Sequence, residues 1–169
     1  MPAPRLICSN IHCLASVTLP MLPRQILPGT TYMVSRRVTQ RLFLLRPSRK
    51  TNQIFNYCLA RAAQISGVRL HAVCVMSNHY HIICTDVRGL LPKFVAELNK
   101  LVAKCINASC GRWENLWAAG VQTSYVRLID ADAMIRESAY VLANPVSAGL
   151  VRYGREWPGV RLWQPGRYK

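Results

Sequence analysis

Two apolar runs separated by only two residues, Ser77 and Asn78, constrain the fold of this 169-residue chain more than any other feature. The runs 68–76 and 79–85 have the composition of buried strands. A link of two residues is too short for the helix that joins parallel strands, so the two strands must form an antiparallel hairpin. The chain is therefore expected to fold around an antiparallel sheet.

The second strand of this hairpin begins with two histidines one residue apart, His79 and His81. Because side chains alternate along a strand, both project from the same face, with Tyr80 and Ile82 on the other. Neutral imidazole is the commonest metal ligand, and burying two imidazoles without partners is costly. The pair therefore predicts part of a metal site, although one core histidine beside one surface histidine would give the same pattern.

Further segments place helices and strands around the hairpin. The predicted elements are strands over 30–39 and 122–129 and helices over 48–65, 91–108 and 133–144. Gly67 and Gly111 are expected to end the first two helices, and Pro145 the third. The order β-α-β-β-α-β-α predicts an α+β fold of the ferredoxin-like type, with helices on one or both sides of the sheet. On the third helix the predicted inner face is formed by Met134, Ile135, Ala139 and Leu142.

The strong positive charge predicts a polyanionic partner. The chain has 22 Lys and Arg against 7 Asp and Glu, a formal net charge of +15. Such an excess attracts nucleic acid, and no basic amphipathic helix or long apolar span points to a membrane instead. The predicted DNA-binding residues are Arg36, Arg37, Arg41, Arg46, Lys100, Lys104, Arg112 and Arg127. Their alternative role is that of an ordinary solvated surface.

Length and cysteine usage set the domain organisation and the compartment. We expect one domain over 24–169, preceded by a disordered extension at 1–23 that lacks the pattern of a secretory signal. The seven cysteines form no Cys-x-x-Cys pair, and an odd, scattered set favours a reducing compartment. The predicted location is the cytoplasm, in association with the nucleoid of a prokaryotic cell.

Two distant motifs together resemble one known family. They are Met-Ser-Asn-His-Tyr-His at 76–81 and Tyr-Val-Leu-Ala-Asn-Pro-Val-Ser-Ala-Gly-Leu-Val at 140–151. In combination they resemble the single-tyrosine HUH transposases of insertion sequences, in particular the branch of REP-associated tyrosine transposases. The resemblance extends over roughly residues 24–163 and implies the ferredoxin-like, RRM-like fold of HUH endonucleases.

The resemblance also implies an activity and a set of site residues. By similarity, the chain is a metal-dependent single-stranded DNA endonuclease and strand transferase that acts on hairpin-forming DNA. Tyr140 matches the nucleophile that forms a 5′-phosphotyrosine, and His79, His81 and Asn144 match the ligands of Mg²⁺ or Mn²⁺. A cation beside the phosphate makes chemical sense, because a phenol with a pKa of about 10 is a poor nucleophile at neutral pH.

Other interpretations remain open from the sequence. Tyr140 alone could be a helix tyrosine anchored at the surface, and Asn144 a cap before proline. The chain could be a catalytically inactive, domesticated nucleic-acid-binding module of the same fold, or a structural zinc protein. The sequence leaves open whether it acts as a monomer or as a homodimer.

Overall fold

A computed structural model describes residues 25–120 and 122–164; the expected extension at 1–23 lies outside the described residues. The strands are β1 (Thr30–Arg37), β2 (Arg69–Val75), β3 (His79–Asp86), β4 (Ser124–Leu128) and β5 (Arg161–Trp163). The helices are α1 (Arg49–Ser66), α2 (Leu91–Cys110) and α3 (Ala131–Ser147). Short 3-10 turns lie at Thr39–Arg41 and Gly154–Glu156.

The five strands form one sheet in the order β4-β1-β3-β2-β5, and every neighbouring pair is antiparallel. The first four strands have the ferredoxin-like arrangement, in which β3 lies between β1 and β2. The predicted fold class is therefore confirmed. Sequence analysis did not predict β5, because three residues are too few to show a period of two.

The predicted hairpin is present and fixes the register of the histidines. Val75 pairs with Tyr80 and Cys74 with His81 across β2 and β3. The Met76 amide donates to the His79 carbonyl at 2.8 Å and closes the turn. On the other side of β3, Arg37 pairs with His79. The histidines therefore begin a central strand, at the end of the sheet where β1 finishes.

The helix ends follow local chemistry, with one exception. The Ser48 hydroxyl accepts a hydrogen bond from the Thr51 amide at 3.0 Å, and Gly67 and Gly111 adopt left-handed φ angles of 71° and 63°. The prediction that α3 stops at Pro145 was wrong. The helix continues to Ser147, because proline removes only its own N–H and the bond from the Ala148 amide to the Asn144 carbonyl, 3.0 Å, is still made.

The two faces of the sheet are covered differently. We call the side that carries Tyr32, Val34, Tyr80, Ile82 and Cys84 the closed face. Helices α1 and α2 pack across it and form the main apolar core. The Tyr80 ring lies edge-on to Phe55 with ring centroids 5.7 Å apart, and its hydroxyl donates to Asn99 Oδ1 at 2.9 Å. Dense apolar packing of this kind supplies most of the stability of a small domain.

The opposite side, which carries Met33, Ser35, Arg37, His79 and His81, we call the open face. Helix α3 packs on it, against β2, β3 and β4, and Trp157 adds to the contact. A smaller apolar cluster, formed by Ala72, Cys74, Met76, Ile83, Leu128, Met134 and Val141, fills the contact. Arg37 at the end of β1 and Ser124 and Val126 on β4 remain exposed. Part of this face is thus open to a ligand.

The buried side of α3 differs from the predicted one. Met134 is buried and Leu142 partly buried, but Ile135 is 63% exposed and Ala139 is also exposed. The buried face consists of Met134, Ser138, Val141, Asn144 and Pro145. Two of these residues are polar, so the apolar period pointed to a neighbouring side of the helix. Among the described residues, no helix is long and apolar enough to cross a bilayer.

Candidate active site

The two histidines lie side by side on the open face, at the start of β3. Their ring centroids are 4.9 Å apart and the ring planes are nearly perpendicular, at 88°. His81 is only 8% exposed, and His79 is partly buried beside it. The alternation of the strand therefore places both imidazoles in one shared environment, as the spacing predicts.

Helix α3 brings Tyr140 and Asn144 to the histidines. The Tyr140 ring meets the His81 ring edge-on with centroids 5.6 Å apart, and Tyr140 keeps 49% of its surface exposed. Asn144, one turn further along the helix, is buried, and its side chain is hydrogen-bonded to His79. The four residues that the resemblance singles out thus form one cluster, with an accessible phenol at its edge.

Burial and charge keep both imidazoles neutral. Burial, with smaller contributions from His79 and Arg37, lowers the pKa of His81 to about 4. Burial and the Arg37 guanidinium also lower the pKa of His79, and the hydrogen bond with Asn144 opposes this effect. A neutral imidazole presents a lone pair, which a metal ligand requires. Arg37 is also the one predicted DNA-binding residue that the structure brings to the histidines.

Asn78 contacts His79, but sequence analysis gave it no role beyond its place in the turn and in the motif at 76–81. Its Oδ1 lies 2.6 Å from His79 Nδ1, and its Nδ2 donates to the Arg41 carbonyl at 3.3 Å. Because Oδ1 can only accept, this contact favours the form of His79 in which Nδ1 carries the proton. Arg41 adopts a left-handed φ of 58°, which Asn78 helps to hold. The position of Asn78 directly before the histidine was the available signal.

The donor set suits a weakly held divalent ion better than structural zinc. Among the described residues, no third His, Cys, Asp or Glu joins the pair to form a metal-binding group. Structural zinc requires four such ligands, whereas Mg²⁺ and Mn²⁺ bind amide, phosphate and water oxygens. Nδ1 of His81 is buried and has no hydrogen-bond partner among these residues. A ligand or an ordered water would satisfy it.

Several other predicted DNA-binding residues lie away from this cluster. Arg46 lines a cavity with Trp157, and Lys100 forms an ion pair with Glu97. Arg112 forms an ion pair with Glu114, with Nη2 and Oε2 3.3 Å apart. The structure therefore scatters these cations around the domain.

The remaining cations of that prediction belong to other parts of the molecule. Arg36 points to the closed face, where it donates to Thr123 Oγ1 at 2.9 Å. Arg41 lies in the 3-10 turn after β1, and Arg127 is exposed on β4. Lys104 lines a cavity of about 380 Å³ together with Arg36. Two of the predicted cations thus line the same cavity.

Comparison with known proteins finds similarity to solved structures only. No family model matches the chain, and no curated protein sequence does. The chain is similar to a REP-associated tyrosine transposase whose structure was solved bound to a REP hairpin, with a TM-score of 0.68 and 19% identity over 83% of this chain and 81% of that one. It also resembles a putative transposase from Deinococcus radiodurans, with a TM-score of 0.48 and 19% identity over 72% of this chain and 95% of that one. The first likeness shows a shared fold.

Proposed function

We propose that this chain is a single-tyrosine HUH transposase of the REP-associated type, which cleaves and rejoins single-stranded DNA next to hairpins. The observation that carries the proposal is the contact of the accessible Tyr140 ring with His81, beside the pair of His79 and Asn144. The accessible phenol, the two imidazoles and the Asn144 amide lie together on the open face of the sheet, as a tyrosine nucleophile beside a metal site would require. The shared fold with a hairpin-bound transposase supports this interpretation.

The proposed reaction keeps the energy of the cleaved bond in a covalent intermediate. Tyr140 Oη releases its proton to water and bonds to the phosphorus, while the bond from phosphorus to the 3′ oxygen breaks. The departing oxygen takes a proton from water, which leaves a 5′-phosphotyrosine and a free 3′ hydroxyl. Attack by a 3′ hydroxyl on the phosphotyrosine reverses these changes and joins DNA. No nucleotide cofactor is needed.

The site residues divide the work between holding an ion and holding the phosphate. His79, His81 and Asn144 would hold Mg²⁺ or Mn²⁺, and the ion, when bound, would act as a Lewis acid on the scissile phosphate. Arg37 adds a fixed positive charge at the mouth of the site, where it would attract the phosphate. Phosphate oxygens and water would complete the metal shell, so ion binding should be weak until DNA is present.

The covalent intermediate is the most direct test. The protein is incubated with end-labelled hairpin oligonucleotides that carry single-stranded flanks, in Mn²⁺ or Mg²⁺, and the products are separated on a denaturing gel. We expect a DNA-linked protein band that disappears in Tyr140→Phe and falls at least about 100-fold in His79→Ala and His81→Ala. Tyr57→Phe is the matched control, because Tyr57 is an exposed helix tyrosine on α1.

Two outcomes would contradict the proposal. A band that survives in Tyr140→Phe would assign the nucleophile elsewhere. Salt-sensitive binding of the same hairpins without any covalent band, in either metal, would instead support an inactive nucleic-acid-binding module of this fold.

A further inference from the structure

A second candidate site lies on the closed-face side of the sheet, at the same end as the histidines. It is a cavity of about 380 Å³ at the C-terminal part of α2, and its wall includes Arg36, Lys104, Asn107, Trp113 and Trp117. The size falls within the range of small-ligand pockets. Cations and aromatic rings in one cavity are the combination that binds unpaired nucleotides.

Trp113 is the most exposed large apolar residue of this cavity, with 88% of its surface free. An exposed indole offers a large flat apolar surface on which another ring can stack. Its neighbours on both sides are fixed: the Arg112 amide donates to the Asn107 carbonyl at 2.9 Å, and Asn107 Nδ2 donates to the Glu114 carbonyl at 2.7 Å. The exposed ring therefore stands on an ordered segment and offers a flat stacking surface.

Polar atoms in the same wall lack partners. Among the described residues, Arg36 Nε and Asn107 Oδ1 are buried without a hydrogen bond. One is a donor and the other an acceptor, and the edge of every nucleobase offers both kinds of group. In a duplex the Watson–Crick edge is occupied. A base with a free Watson–Crick edge therefore carries the kinds of group that these two atoms lack.

The cavity is close to the candidate active site through β1. Arg36 and Arg37 are consecutive, and they pair with Tyr80 and His79 on β3. Their side chains point to opposite faces, so Arg37 lies at the histidines while Arg36 lines the cavity. A single strand that passes around this end of the sheet can contact both sites.

We propose that this cavity binds one unpaired nucleobase of the DNA strand that the active site holds, with the base stacked on Trp113 and its phosphate near Arg36 and Lys104. The inference rests on the proposed function only in taking DNA as the ligand. It assigns to the closed-face side a contact with the unpaired strand in addition to the contacts at the histidines.

The test measures how Trp113 and a missing base are coupled. Affinity of the wild-type protein for a single-stranded oligonucleotide is measured by fluorescence anisotropy, in EDTA and at fixed salt. A series of otherwise identical oligonucleotides carries one abasic position each. We expect one position at which base removal weakens binding by about 5- to 150-fold, the range for one stacked base.

Trp113→Ala should weaken binding of the intact strand by a similar factor and remove the penalty at that abasic position. Trp113→Phe should retain most of the affinity. Trp163→Ala, which removes another exposed tryptophan on β5, is the matched control and should change affinity less than about 2-fold. An abasic penalty of equal size in wild type and Trp113→Ala, or no loss of affinity in Trp113→Ala, would overturn the inference.

The two proposals fail separately. EDTA removes the metal-dependent reaction, so the binding result does not depend on whether Tyr140 forms an adduct. If a covalent band forms but the abasic penalty does not depend on Trp113, the proposed function would stand and the base pocket would be refuted. If the abasic penalty depends on Trp113 but no covalent band forms, the base pocket would be supported and the proposed function refuted.

Discussion

The closed and open faces of the sheet differ in the kind of residue that they bury. The closed face buries aromatic and aliphatic side chains under two helices, and its largest buried residues include Tyr80, Phe55 and Phe94. Between the open face and α3, His81 of the sheet and Ser138 and Asn144 of the helix are buried. His81 and Ser138 each keep a polar atom without a partner among the described residues. Buried polar groups are costly. The apolar packing of the closed face can therefore offset the free-energy cost of the buried polar groups on the open face.

Removal of a large side chain from the closed face should have the largest effect on stability. Phe94→Ala deletes a fully buried ring from α2 and should lower the free energy of unfolding by about 3–5 kcal/mol. The measurement is urea unfolding followed by circular dichroism, without metal or DNA.

The matched change on the open face is Ser138→Ala. It removes a buried hydroxyl that has no hydrogen-bond partner among the described residues, so we expect a change of less than about 1 kcal/mol. Equal losses in the two variants would show that the faces do not differ as we argue.

The free energy of unfolding should depend on pH, because His81 on the open face is buried in its neutral form. The pKa of His81 is about 4 in the folded protein, below its ordinary value of 6.5, so the unfolded chain binds more protons between these values. Stability should therefore be fully present above pH 6.5 and fall as the pH drops towards 4, by about 2–3 kcal/mol from this residue. His71 and His79 also have lowered pKa values and add to the slope.

Two variants separate these contributions. Unfolding midpoints are measured from pH 4 to 7 for the wild type, His81→Gln and His71→Gln. His81→Gln should remove the larger share of the pH dependence. An unchanged slope in His81→Gln would mean that this imidazole titrates normally and is not buried in its neutral form.

A smaller effect, on metal affinity, is expected when Asn78 on the open face is replaced. Asn78→Ala removes the acceptor that fixes the proton on His79 Nδ1, while His79 and His81 themselves remain. Loss of such an outer partner typically lowers metal affinity about 10- to 100-fold. The Mn²⁺ concentration for half-maximal adduct formation should rise by that factor, whereas the rate at saturating Mn²⁺ should be largely kept.

Asn56→Ala, on the exposed side of α1, is the control for this experiment and should leave the Mn²⁺ dependence unchanged. If Asn78→Ala lowers the rate at saturating Mn²⁺ without a shift of the half-maximal concentration, Asn78 acts on some step other than metal binding.

The same difference between the faces explains what the sequence predicts well. Helices α1 and α2 and alternate residues of the hairpin strands form the closed face, where buried residues are apolar and their spacing reveals the element. Ser48 and Gly67 act through local backbone chemistry, so the ends of α1 could also be predicted. Apolar spacing and helix capping are both local sequence signals, and both are present in the elements of the closed face.

The open face departs from such signals for a physical reason. Helix α3 buries Ser138 and Asn144 and exposes Ile135, so an apolar period assigned the wrong side. The contact of Asn78 with the Arg41 carbonyl depends on how the turn after β1 packs against the hairpin, which no local pattern encodes. The motif resemblance proposed His79, His81, Tyr140 and Asn144 together, and the structure brings them into one cluster.

The most direct test of the central claim is to locate the DNA-linked residue itself. The covalent adduct is digested with nuclease and protease, and the nucleotide-bearing peptide is sequenced by mass spectrometry. Our account predicts a phosphotyrosine at Tyr140, on the exposed edge of the open face. A nucleotide on Tyr57, Tyr153 or any other residue would contradict the assignment of this face as the active site.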